Sequence, residues 1–315
     1  MMTMLLASLA LAADCQEERA AALAIGDAVS ERYVIAEQAE RDGAELHRRA
    51  LMGEFDRHCS DKKKFARFMT SELRKLTGDK HYYVEYAPAS EQQGDNDWVE
   101  RWRNGAPAQS FGVRKVERLD GNIAYIDMPG FYEYAPAEDA LTAAFTLVST
   151  SDALILDLRY NDGGSSETAW PVTWTFLTAG SPIARRMDAR IGTPESIQEP
   201  DFNWPRYGSD RPLVILISDF SLSAAEAVAH YLQAEGRAVI IGENSGGAAH
   251  MLGDAVAIGN GWKIGIPESR PINLKTTDNW ENTGVTPDIL IPADQALEKA
   301  LDYLKTELAE REDQK

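Results

Sequence analysis

The sequence predicts an α/β fold preceded by a helical segment. Three observations carry that prediction: short apolar runs of buried-strand type, helical periodicity between them, and Gly- or Asn-bearing turns where the runs stop. At 315 residues the chain has room for a main domain and a smaller companion.

The chain opens MMTMLLASLALAA. The apolar run from Met4 to Ala13 is too short for a bilayer, which takes roughly 20 residues. It fits the hydrophobic region of a signal peptide with cleavage before Asp14, so residues 1–13 are expected to direct the protein to the periplasm or outside the cell. If they instead begin a helix, a cytoplasmic location follows. No other stretch reads as a transmembrane segment.

Residues 14–87 are expected to form a helical domain. An amphipathic stretch runs from Ala20 to Met52 with a break near Gly43. Ser60-Asp61 caps the next helix, whose Phe65, Phe68, Met69, Leu73 and Leu76 share one face, and Gly78 ends it. From His81 to Tyr86 the pattern turns towards strand. Residues 88–110, rich in Pro, Gly, Asn and Gln, read as a linker.

Residues 111–315 carry the α/β pattern. Strands are expected at Asn122–Met128, Ala153–Leu158, Leu213–Ile217, Ala238–Ile241 and Trp262–Ile266, with helices at Glu138–Ser149, Ser223–Glu235 and, on the surface, Asp294–Glu310. The aromatic stretch Trp170–Phe176 fits either core packing or the lining of an apolar cleft.

The net charge of −18, with basic runs no longer than Lys62-Lys63-Lys64, argues against nucleic acid and anionic membranes as partners. Cys15 and Cys59 suit one disulfide without requiring it, and neither stands at metal-ligand spacing; no metal and no cofactor are expected.

Ser223 follows a buried strand and opens a helix, where the Ala224 N–H can donate to an oxyanion. The same residues, Ser223-Ala-Ala-Glu226, also spell a capping box in which the serine only caps the helix. Asp157-Leu-Arg-Tyr-Asn-Asp-Gly-Gly164 ends a buried strand on a turn that can present a second donor, from Gly163 or Gly164.

Three blocks in order, ALILDLRYNDGG, VILISDFSLSAAEA and AVIIGENSGGAAH, resemble the tail-specific (C-terminal processing) serine peptidases. LTGDKHYYVEY and ERLDGNIAYIDMPGF look like the branch that holds the tricorn core protease and the interphotoreceptor retinoid-binding protein. The resemblance implies a ClpP/crotonase-like β-α core and makes Ser223 the nucleophile. Many relatives activate that serine with a lysine from a block that reads SGGAAHMLGDAV here and contains none. The tricorn-like branch implies His81 as general base and Glu281 as its orienting partner. A further hydroxyl in that scheme has no counterpart, because Lys80 precedes His81. His250, close to where the lysine would fall, is the alternative base; His230 reads as a packing residue. Residues 88–110 leave no room for an inserted PDZ domain.

The expected function is serine-type peptide-bond hydrolysis through an acyl-enzyme, with a peptide or protein as substrate. The alternative is a non-catalytic carrier of hydrophobic ligands such as retinoids or lipids on the same scaffold. A crotonase-type acyl-CoA enzyme is the third reading, disfavoured by the lack of basic groups for the CoA phosphates.

Overall fold

The computed structural model describes residues 15–87, 98–188 and 192–314. The expected signal segment 1–13, and residues 88–97 of the expected linker, lie outside the described residues. The chain forms two compact units, one built from the described parts of Met1–Asn96, Arg186–Pro194 and His250–Pro271, the other from those of Asp97–Arg185, Glu195–Ala249 and Ile272–Lys315.

The leading unit contains helices α1 (Gln16–Arg32), α2 (Ala36–Leu51) and α3 (Lys62–Thr77). The expected break near Gly43 falls instead at Tyr33–Ile35, and Gly43 lies inside α2. A Cβ on Gly43 would stand 2.6 Å from the Gly26 carbonyl, so the glycine serves close helix packing rather than a turn. Helix α3 follows its sequence signals: Asp61 accepts from Lys64 N, and Gly78 closes the helix in the left-handed conformation. Phe65, Met69 and Leu73 are fully buried on one face.

This unit is not purely helical. The strand Tyr83–Tyr86 pairs antiparallel with Trp262–Gly265, which pairs in turn with Val256–Gly259. Residues 250–271, read from sequence as part of the second domain, therefore complete the leading unit. The physical reason is burial: a four-residue strand cannot cover its own apolar face, and Trp262, packed at 5.4 Å against Phe65, supplies the cover. Cys15 and Cys59 form a disulfide.

The second unit is built on a six-stranded sheet: β1 (Lys115–Leu119), β2 (Ile123–Asp127), β3 (Ala153–Asp157), β4 (Leu213–Ile217), β5 (Val239–Gly242) and β6 (Ile289–Leu290). Spatial order is β6-β5-β4-β3-β2-β1, parallel throughout except for the β1–β2 hairpin. The central strands read as unbroken apolar runs because both faces are covered. Alternate residues feed two cores. Ala124, Leu154, Leu156, Ile215 and Ile240 join one with residues of helices α5 (Tyr134–Val148), α6 (Ser166–Thr175) and α7 (Ala224–Ala234). Tyr125, Ile155, Val214 and Ile241 join the other with Ala296, Ala300 and Leu304 of helix α8 (Ala296–Asp313).

Part of the expected linker is helical, α4 (Trp98–Gly105) followed by a 3₁₀ turn over Ala106–Gly112. Trp102 stacks on Tyr132 at 4.6 Å, and that contact overrides the Gly- and Pro-rich composition. Among the described residues no helix is long and apolar enough to cross a membrane.

Candidate active site

Strands β3 and β4 are parallel neighbours, with Asp157 opposite Leu216, so the loops at their C-terminal ends emerge side by side, where open α/β sheets place their ligands. Side chains tie the loops together. Ser221 Oγ donates to Leu158 O at 2.7 Å, Ser218 Oγ donates to Arg159 O at 2.5 Å, and Leu222 N–H donates to Asn161 O at 3.0 Å. Arg159 is held by a buried ion pair with Asp157 at 2.6 Å. The turn leading into Ser223 is thus fixed from both sides.

Ser223 sits at φ 55°, ψ −115°, a conformation that costs a non-glycine residue roughly 1–3 kcal/mol and must be imposed by its surroundings. An ordinary capping serine has extended backbone. Ser223 does not, so the simple capping reading gives no account of this backbone. The capping box is nevertheless present in both directions: the Ser223 side chain faces the Glu226 backbone N–H, and Ser223 N–H donates to Glu226 Oε2 at 2.8 Å. Glu226 is fully buried and also accepts from Ser245 Oγ at 2.6 Å, Gly247 N at 2.6 Å and Ala248 N at 2.9 Å. Burial pushes its carboxyl up from the usual range, and these four donors pull it back.

Gly163 packs directly beneath the serine. Its φ is +102°, and a Cβ there would stand 2.8 Å from Ser223 Cβ and 3.1 Å from Ala224 N. Its own N–H donates to Asn161 Oδ1 at 2.8 Å and is therefore engaged. Of the two glycines left open by the sequence, Gly164 has the N–H with no acceptor among the described residues, and the same holds for Ala224 N–H at the first position of α7. Ala224 N–H opens α7 next to Ser223 and Gly163 packs against the serine, so a helix N-terminus and the glycine turn adjoin it, an arrangement suited to developing negative charge. Asn161, which sequence reasoning read only as a turn residue, organises this loop: it is fully buried and its Nδ2 donates to Met128 O at 2.8 Å.

Glu281 lies on a segment laid against residues 245–249. Its Oε2 accepts from Ala249 N at 2.6 Å, Trp280 Nε1 donates to Ala248 O at 3.0 Å, and Ser245 N donates to Val285 O at 3.2 Å.

In the leading unit, His81 and His250 are brought to one carboxylate, that of Asp79, a residue sequence reasoning passed over. Asp79 is fully buried; its Oδ2 lies 2.7 Å from His250 Nδ1 and its Oδ1 3.8 Å from His81 Nδ1. Burial pushes the His81 imidazole below its ordinary pKa; Asp79 opposes that, and His250 and Arg74 reinforce it. The neutral form of the ring is therefore favoured. The spacing Asp79-x-His81 was visible in the sequence as a local carboxylate–imidazole pair; the arrival of His250 from 171 residues away was not.

His230 is a packing residue, its ring 5.1 Å from Trp280 and 5.5 Å from Tyr231. Trp174 and Phe176 are fully buried in the core, so that the aromatic stretch owes its composition to packing. Sequence reasoning also missed that this stretch is helical.

Residues 122–291 match the sequence profile of peptidase family S41. A carboxy-terminal-processing protease of Bartonella bacilliformis is 27% identical over 187 residues, 55% of this chain and 40% of that protein. The chain spans less than half the length of the curated relatives it matches. Among solved structures, a photosystem II D1 C-terminal processing protease superposes with a TM-score of 0.56 at 16% identity, covering 88% of this chain and 94% of the other. The tricorn protease superposes with a TM-score of 0.58 at 13% identity, over 90% of this chain and 36% of the other. Both likenesses concern the fold.

Proposed function

The chain belongs to peptidase family S41, and on that premise we propose that it hydrolyses peptide bonds through an acyl-enzyme on Ser223, with His81 as general base. One observation carries the reading: the strained Ser223 opens α7 with the Ala224 N–H at its first position, and the turn packed against it at Gly163 continues into Gly164, whose N–H has no acceptor among the described residues.

In the proposed reaction Ser223 Oγ attacks the scissile carbonyl carbon and its proton passes to His81. The carbonyl oxygen, now anionic, is stabilised by Ala224 N–H and Gly164 N–H. The tetrahedral intermediate collapses as His81 gives its proton to the departing amine, and water then cleaves the ester by the same steps in reverse roles. Glu281 orients the site through its bond to the Ala249 N–H. His250 is the alternative base. The substrate is a peptide or protein, as the carboxy-terminal-processing relatives suggest.

The test is hydrolysis of a fluorogenic peptide library by the parent and by Ser223→Ala. Loss of turnover by about a thousandfold or more, with an unchanged circular dichroism spectrum, is expected. An alanine variant as fast as the parent overturns the proposal.

A further inference from the structure

We propose that Asp79 is the positioning residue of the catalytic base, a single buried carboxylate that accepts the backbone N–H of His81, lies against its imidazole and pairs with His250 Nδ1, with His81 taking the proton. The proposal rests on the reading of His81 given above and adds a residue to it.

Asp79 is shut off from solvent in the leading unit, where an ionised carboxylate persists only with donors around it. It has them. His81 N–H donates to Oδ1 at 2.9 Å, Tyr33 O–H donates to Oδ2 at 3.3 Å, and His250 Nδ1 lies 2.7 Å from Oδ2. A carboxylate only accepts, so the short contact fixes the His250 tautomer with its proton on Nδ1. Tyr33 O–H also lies 3.4 Å from that nitrogen, which lets one hydroxyl brace both partners.

The turn that presents Asp79 is itself built for the purpose. Gly78 closes helix α3 in the left-handed conformation, Asp79 N–H donates to Thr77 Oγ1 at 3.1 Å, and Thr77 Oγ1 donates to Leu73 O at 2.8 Å. Because Asp79 Oδ1 accepts the backbone N–H of His81, the carboxylate and the imidazole are held on the same short turn, with Oδ1 and His81 Nδ1 3.8 Å apart. When His81 accepts a proton, the new cation forms beside a fixed anion, the arrangement by which a buried carboxylate orients and stabilises an imidazolium.

Among the described residues of the leading unit, His81 faces Asp79, His250 and Arg74, Asp79 also faces Tyr33 and Tyr82, and Asp42 acts on Tyr82. Asp79 is the group among those facing His81 that favours its protonated form, while His250 and Arg74 oppose it.

The test uses the full chain. Asp79→Asn keeps the shape and removes the charge; kcat on a peptide cleaved by the parent is expected to fall about a hundredfold or more, with KM within about twofold. The acid limb of the kcat/KM profile is expected to move to lower pH, because loss of the neighbouring anion lowers the imidazole pKa. His250→Gln, whose amide can still donate to Asp79, is expected to retain more activity than His250→Ala. Imidazole ¹⁵N NMR of the parent is expected to show His250 protonated on Nδ1 and hydrogen-bonded to Asp79.

A folded Asp79→Asn variant with unchanged kcat and unchanged acid limb overturns the proposal, as does a parent in which His250 Nδ1 carries no proton. If Asp79→Asn does not fold, the ¹⁵N NMR tautomer of His250 in the parent decides. If Ser223→Ala keeps full activity, it is the acyl-enzyme reading that fails, and the bond from His250 to Asp79 is still read by NMR.

Discussion

The Ser223 N–H donates to Glu226 Oε2 at 2.8 Å, and the same carboxylate holds the N–H groups of Gly247 and Ala248 and the hydroxyl of Ser245. One buried side chain therefore pins the strained serine and the loop beside it. Glu226→Gln preserves volume but turns one acceptor into a donor, leaving N–H groups facing an N–H₂. A stability loss of about 1–3 kcal/mol is expected, measured by urea unfolding, together with reduced peptide hydrolysis.

Gly163→Ala is expected to suppress labelling of Ser223 by a fluorophosphonate. The new Cβ would press on Ser223 Cβ at 2.8 Å and on Leu222 O at 2.9 Å. Gly180→Ala is the control, since Gly180 also has positive φ but nothing within 4 Å of the added Cβ. Equal labelling of the two variants would assign the effect to backbone strain alone.

The Cys15–Cys59 disulfide spans 44 residues. Closing a loop of that length limits the unfolded chain by about 4 kcal/mol in the entropy treatment. The double substitution of Cys15 and Cys59 by Ser is expected to lower the stability of the leading unit by about 3–4 kcal/mol in urea, and dithiothreitol is expected to reproduce the loss in the parent.

Burial lowers the His230 pKa below its ordinary value, with Asp278 opposing. The folded pKa thus lies below the unfolded one, so the unfolded chain takes up the proton first as pH falls. The stability contribution is present above about pH 6.5 and is lost as pH drops below it. The urea midpoint is expected to fall between pH 7.5 and pH 5.5, and to fall less in His230→Gln. An identical pH dependence in the two proteins would remove His230 from the account.

Much of the second unit was legible from local pattern. Both-face burial writes a strand as an unbroken apolar run, and β3 and β4 appear in the sequence as ALILD and LVILI. The candidate nucleophile was legible for the same reason, since the end of such a strand and the start of a helix are both local signals. Where packing outweighed composition the pattern misled: Trp98–Gly105 is helical in a Gly- and Pro-bearing stretch, and residues 250–271 complete a sheet begun at Tyr83.

The sequence by itself determined the α/β class, the strand–turn–helix that carries Ser223 and the two glycines after β3, because each is decided by residues within a few positions of one another. The tertiary structure alone decided that Gly163 N–H is spent on Asn161 while Gly164 N–H is not, that Glu226 anchors four donors, and that His250 meets His81 on Asp79. Hydrogen-bond partnership between residues far apart in the chain depends on where backbone and side chains come to rest in space, and no local pattern encodes that.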